Sequence, residues 1–124
     1  MKALPTLMLA VLGAMWAYYA HAKVLSKKHE RYYQTQLCER LGGRMEYRLP
    51  DRSRVDCLNE TFAVEVDFAR KWAEGVGQSL YYAEMTGRRP AVGLIVAGDE
   101  ERYLRRLKAV AGVYGIKIFI IEKE

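Results

Sequence analysis

Three carboxylates in a span of twelve residues could share one site in this chain: Asp56, Glu65 and Asp67. The last two lie in residues 63–68 (AVEVDF), where apolar and acidic residues alternate. Successive side chains of an extended chain point to opposite faces. Val64, Val66 and Phe68 therefore share one face, and Ala63, Glu65 and Asp67 the other. If residues 53–58 pair with this segment, Arg54 and Asp56 share a face opposite Val55 and Cys57, and Asp56 lies beside Glu65 and Asp67. Three carboxylates so close repel one another unless a cation sits among them. An oxygen-rich, sparsely liganded site suits Mg2+ or Mn2+, which keep water ligands and bridge to phosphate. Lys71 follows one turn later, where its ammonium could stabilise charge or activate an attacking water. Glu74, Gln78 and Tyr82 continue from it at spacings of three, four and four, a single stripe on a helix.

The elements that must carry these residues can be read from turns and periodicity. Residues 28–42 predict a helix with Tyr33, Leu37 and Leu41 on one face, ended by Gly42-Gly43. Strands are expected over 44–49 and 53–58, with Pro50-Asp51 as the turn, and over 63–68 after a reversal at Asn59-Glu60. A helix over 69–86 closes at Gly87 and has Trp72, Val76, Leu80 and Ala83 as its core stripe. Residues 91–97 (AVGLIVA) read as a buried strand. Gly98-Asp99 then opens a helix with Tyr103, Leu107, Val110, Ala111 and Tyr114 at helical spacing, and 116–121 is the last strand. The order α-β-β-β-α-β-α-β predicts an α/β fold, a mixed β-sheet flanked by helices.

A chain of 124 residues, about half of them apolar, suits one domain with a real core. Twenty Lys and Arg against fifteen Asp and Glu give a net charge of +5. That excess is compatible with nucleic acid or an acidic membrane surface without demanding either. With only two cysteines, one chain cannot build a four-cysteine zinc site, and a site of two cysteines and two histidines would have to recruit His21.

His21 belongs to a distinct N-terminal segment. Residues 1–22 have an early Lys, an apolar run over 4–17 and the small-x-small triplet Ala20-His21-Ala22. This reads as a signal peptide cut before Lys23, leaving a domain of residues 23–124 that is periplasmic or secreted. The alternative is an inner-membrane anchor, with membrane association through residues 4–20 and Trp16, Tyr18 and Tyr19 at the interface. Lys23, Lys27, Lys28 and Arg31 would then hold the domain on the cytoplasmic side. An exported domain meets an oxidising compartment, where two cysteines often pair. A Cys38–Cys57 disulfide is expected on that basis, stabilising by about 3 kcal/mol in the chain-entropy model.

Taken together, the residues resemble the PD-(D/E)XK nuclease superfamily, which includes Holliday-junction resolvases, many restriction enzymes and RecB-type exonucleases. Asp56, in Arg54-Val55-Asp56, matches the first metal-binding Asp, and Glu65 the second acidic position. Gln78-Ser-Leu-Tyr-Tyr82 resembles the QxxxY element of RecB-type members, and Glu39 matches the acidic residue that many members place on the first helix. The likeness spans residues 30 to 97. It implies a restriction-endonuclease-like α-β-β-β-α-β core and Mg2+- or Mn2+-dependent hydrolysis of phosphodiester bonds, with DNA the expected substrate. Asp56, Glu65 and Lys71 would be catalytic, and Asp56, Glu65 and Asp67 metal ligands. Glu39, Asp67, Gln78 and Tyr82 would support them, and Arg54, Arg70, Arg88 and Arg89 would contact nucleic acid.

One position departs from the family pattern. Two residues after Glu65, where members carry Lys, this chain has Asp67; some members supply the Lys from the next helix, as Lys71 would here. The rival reading is a catalytically degenerate nuclease-fold protein, acting as a nucleic-acid-binding or membrane-associated assembly factor. Blander accounts exist for single features. Alternating carboxylates can be a solvated sheet face, the stripe from Lys71 to Tyr82 an outer helix face, Arg88-Arg89 a solvated pair, and His29 an inert surface residue.

Overall fold

Helix α1 (Thr6–Arg40) precedes a hairpin of β1 (Arg44–Arg48) and β2 (Arg54–Leu58), then β3 (Phe62–Phe68). A 3-10 turn (Ala69–Lys71) leads into α2 (Trp72–Thr86), followed by β4 (Arg89–Val96), α3 (Glu101–Tyr114) and β5 (Lys117–Glu122). This computed structural model describes residues 6–124, except for the side chains of residues 21–29. The first helix starts far earlier than the predicted 28–42. Residues 6–40 contain no proline and a single glycine, Gly13, so nothing local stops the helix. The inferred cleavage point before Lys23 falls among residues 21–29, whose side chains are outside the description, and Met1 to Pro5 lie outside the described residues altogether. Among the described residues, no helix is long and apolar enough to cross a membrane.

Helix ends follow the turn chemistry. Gly42, Gly87 and Gly115 take positive φ values of 60°, 67° and 66° and end α1, α2 and α3, a region that glycine enters without steric cost. The five strands form one mixed sheet in the order β1-β2-β3-β4-β5. β1, β2 and β3 are antiparallel neighbours, whereas β3, β4 and β5 are parallel. Pro90 is tolerated in β4 because the β4–β5 pairing begins only at Ala91.

Helices cover both faces. Tyr33, Leu37 and Cys38 of α1 pack on Val64, Val66 and Ile95. On the other face, Leu104, Leu107 and Ala111 of α3 and the flank of α2 pack on Val92 and Leu94. A disulfide joins Cys38 to Cys57, with Cα atoms 5.5 Å apart, and ties α1 to β2. Gly43 lies against it so closely that a Cβ there would collide with Cys57 Sγ.

The predicted alternation fails at one place. Met45 and Cys57 belong to the core under α1, but Tyr47 and Val55 join Leu49, Ala63 and Tyr82. Val55 and Cys57 therefore do not share a face. The cause is Glu46, whose φ of 54° breaks the extended geometry of β1 opposite Asp56.

Candidate metal centre

The irregularity at Glu46 opens a gap at the position of Asp56. The β2–β3 ladder pairs only Cys57 with Val64 and Leu58 with Ala63. One step further on, the Val66 N–H donates to Asp56 Oδ2 at 2.8 Å, so a side chain takes the bond that a strand carbonyl would have accepted. Gln34 of α1, 5% exposed, fixes the same place from above. Its Nε2 donates to the Asp56 carbonyl at 3.0 Å and to Glu46 Oε1 at 3.1 Å.

Glu65 and Asp67 stand next to Asp56 on β3, 7% and 5% exposed. Glu65 Oε2 and Asp67 Oδ2 are buried and have no hydrogen-bond partner among the described residues. Helix α2 crosses directly over them. A Cβ on Gly75 would lie 3.4 Å from Asp67 Oδ2, so glycine lets the helix approach the carboxylate. The inward stripe of α2 is Gly75, Ser79 and Tyr82. This revises the stripe inferred from spacing: Tyr82 is buried near the acids, but Lys71, Glu74 and Gln78 are exposed.

The electrostatics follow from this burial. Desolvation, then the charges of Asp56 and Asp67, push the Glu65 carboxyl far above the usual range. Asp67 is pushed up to about 7, first by burial and then by Glu30 and Asp56, with Lys71 opposing. Asp56 is raised chiefly by burial, against the lowering effect of the Val66 N–H. The Tyr82 hydroxyl is pushed up to about 12 by burial and by Glu65 and Asp56.

Glu30 was not apparent from the sequence pattern. Burial raises its carboxyl, and Lys71 pulls it back. Glu39, the α1 acid suggested by the family likeness, instead lies beside Arg40, Ile120 and Glu122 at the β5 edge. Nine residues separate the two, about two and a half helical turns, which places them on opposite sides of the helix. Glu30 could have been found from its place one turn before Gln34 on the sheet-facing side of α1.

The arginines divide by location. Arg54 is exposed beside the gap, with Nε 3.7 Å from Glu46 Oε2, and Arg70 is exposed just past β3. Arg88 donates through Nε to the Asn59 carbonyl, and Arg89 sits over the Phe62 ring. Arg89 pairs with Phe62, Glu65 with Val92 and Asp67 with Leu94, so three residues of strand, roughly 10 Å, part Arg89 from Glu65, and five, roughly 16 Å, from Asp67.

Among the described residues, no three His, Cys, Asp or Glu side chains converge as a ready cage for a metal ion. The donor set nevertheless fits an ion held by one or two carboxylates, water and phosphate, as Mg2+ commonly is. Two orphaned carboxylate oxygens from neighbouring positions on one face of β3 are such a partial set. No protein-family model, curated protein or solved structure matches the chain.

Proposed function

We propose that this protein is a metal-dependent nuclease with a restriction-endonuclease-like core, hydrolysing phosphodiester bonds in nucleic acid, with DNA as the expected substrate. The observation that carries the reading is the pair of buried, unpartnered oxygens, Glu65 Oε2 and Asp67 Oδ2, beside Asp56. Burying such groups without compensation is costly, and the cost is tolerable where a cation is taken up. Of Asp56, Glu65 and Asp67, one or two would hold Mg2+ or Mn2+ together with water and phosphate, and the remaining carboxylate would add charge beside the ion. The ion, when bound, supplies charge neutralisation at the phosphate and a more acidic water. Lys71, exposed above Asp67, offsets charge on the phosphate and orients the water. Tyr82, buried near the acids, keeps its proton, and the exposed Gln78 would contact substrate.

The disulfide between α1 and β2 supports an oxidising compartment, hence export after signal-peptide cleavage rather than an anchored domain facing the cytoplasm. A second reading, a degenerate binding protein, is favoured by Asp67 standing where the family places Lys. Mn2+ titration of the chelator-treated protein, read by calorimetry, separates them. Saturable binding that weakens at least tenfold in Glu65→Gln supports the nuclease. Equal, weak binding by both proteins contradicts it.

A further inference from the structure

We propose that the β1–β2 hairpin is an arginine arm that grips the phosphate backbone of nucleic acid beside the carboxylate site. The inference rests on the nuclease reading for its substrate class. Between Arg44 and Arg54 the hairpin carries Arg44, Arg48, Arg52 and Arg54, all exposed, and no lysine.

Two of these placements are locally unfavourable. Arg48 and Arg54 are direct cross-strand partners, and like charges opposite one another repel. Arg52 sits at the hairpin turn with φ 74°, where glycine or asparagine is at ease and a long side chain is strained. Local rules broken in the same direction point to a functional demand.

The positive charge is also available. Among the described residues the single ion pair is Arg54 with Glu46, at 3.7 Å, and no carboxylate pairs with Arg48 or Arg52. Arg44 lies over the Tyr47 ring at 5.2 Å. Guanidinium groups suit this task, because their planar fork meets phosphate oxygens two at a time. Position selects nucleic acid over an anionic lipid surface. Arg54 is two residues from Asp56 on the same strand, and its partner Glu46 is held by the same Gln34 side chain as the Asp56 carbonyl. Arg54 thus stands at the Asp56 end of the hairpin, and a phosphate held there lies beside Asp56.

Binding of the full chain to a labelled DNA duplex, measured by fluorescence anisotropy over a series of NaCl concentrations with Ca2+ in place of Mg2+, tests the inference. Arg48→Thr and Arg52→Gly should each weaken binding several-fold and reduce the salt slope by about one. Both should melt no lower than wild type, since each relieves an unfavourable placement; Arg48→Lys should recover most of the affinity. Wild-type affinity and slope in both variants would overturn the arm. So would binding to phosphatidylglycerol vesicles with none to the duplex. Asp56→Asn separates the two claims. It should bind the duplex normally without cutting it in Mg2+, and if it cuts normally the nuclease assignment of the site fails while the arm stands.

Discussion

Asp56 accepts a hydrogen bond from the Val66 N–H and contributes a charge to the acid cluster. The two roles can be separated by substitution. Asp56→Ala leaves a buried N–H unsatisfied and should cost about 1–3 kcal/mol, whereas Asp56→Asn keeps an acceptor and should fold normally while losing activity. Chemical denaturation of the two variants checks this. Asp67 gives a pH dependence of known sign. Its folded-state pKa is raised to about 7, so between roughly pH 4 and 7 the native state holds more protons than the unfolded chain. Asp67 should therefore contribute a fall in the stability of the chelator-treated protein as pH rises through that window, of a few kcal/mol at most. Asp67→Asn should make the slope of thermal melts across pH shallower, leaving the part that Asp56 and Glu65, also raised, contribute. An unchanged slope would show that Asp67 titrates as an ordinary exposed carboxylate. Asp67→Lys is the sharper probe of the departure from the family pattern. If Lys71 already supplies the cation, the added Lys should lower activity by repelling metal.

The glycines of α2 make a contrast at the scale of one element. Nothing lies within 4 Å of a Cβ on Gly77, so Gly77→Ala should stabilise by about 1 kcal/mol through helix propensity alone. The methyl of Gly75→Ala would press toward Asp67 Oδ2 and Val92, and its gain should be smaller or reversed. Denaturant midpoints of the two variants give the comparison. The order and type of the elements after residue 28 were legible in the sequence, because period-2 alternation, glycine stops and the apolar run of β4 are local signals. The side-by-side placement of Glu65 and Asp67 on β3 was legible for the same reason. The crossing of β2 from one face to the other was not, because it arises from a positive φ at Glu46, a residue with no preference for that region. Glu30 and Gln34 were missed because the face of α1 was read from its apolar residues Tyr33, Leu37 and Leu41, and the polar residues flanking that face give no periodic signal of their own. So was the preference of α2 for its Gly75–Ser79–Tyr82 stripe, which depends on how closely glycine lets the helix sit.

At the scale of the whole molecule, the sheet, the α1 disulfide and the crossing of α2 all converge on the gap between β2 and β3. Breaking the Cys38–Cys57 bond should cost about 3 kcal/mol, and the Cys38→Ala/Cys57→Ala double variant should show this in denaturant unfolding. Because α1 carries Gln34 above Asp56, that variant should also lose affinity for Mn2+. In the native host or an equivalent export host, intact mass should show a mature N-terminus at Lys23, and retention of Met1 in a membrane fraction would favour the anchor. The central claim is that the acids of β2 and β3 make a phosphodiester-cleaving metal site. Incubating the full chain with labelled duplex, single-stranded and branched DNA, and with RNA, with Mn2+ or with chelator, tests it most directly when Asp56→Asn is run alongside. The account predicts cleavage of at least one substrate that requires Mn2+ and is lost in Asp56→Asn. Inertness of the natural protein toward every substrate, or equal cleavage by the variant, would contradict it.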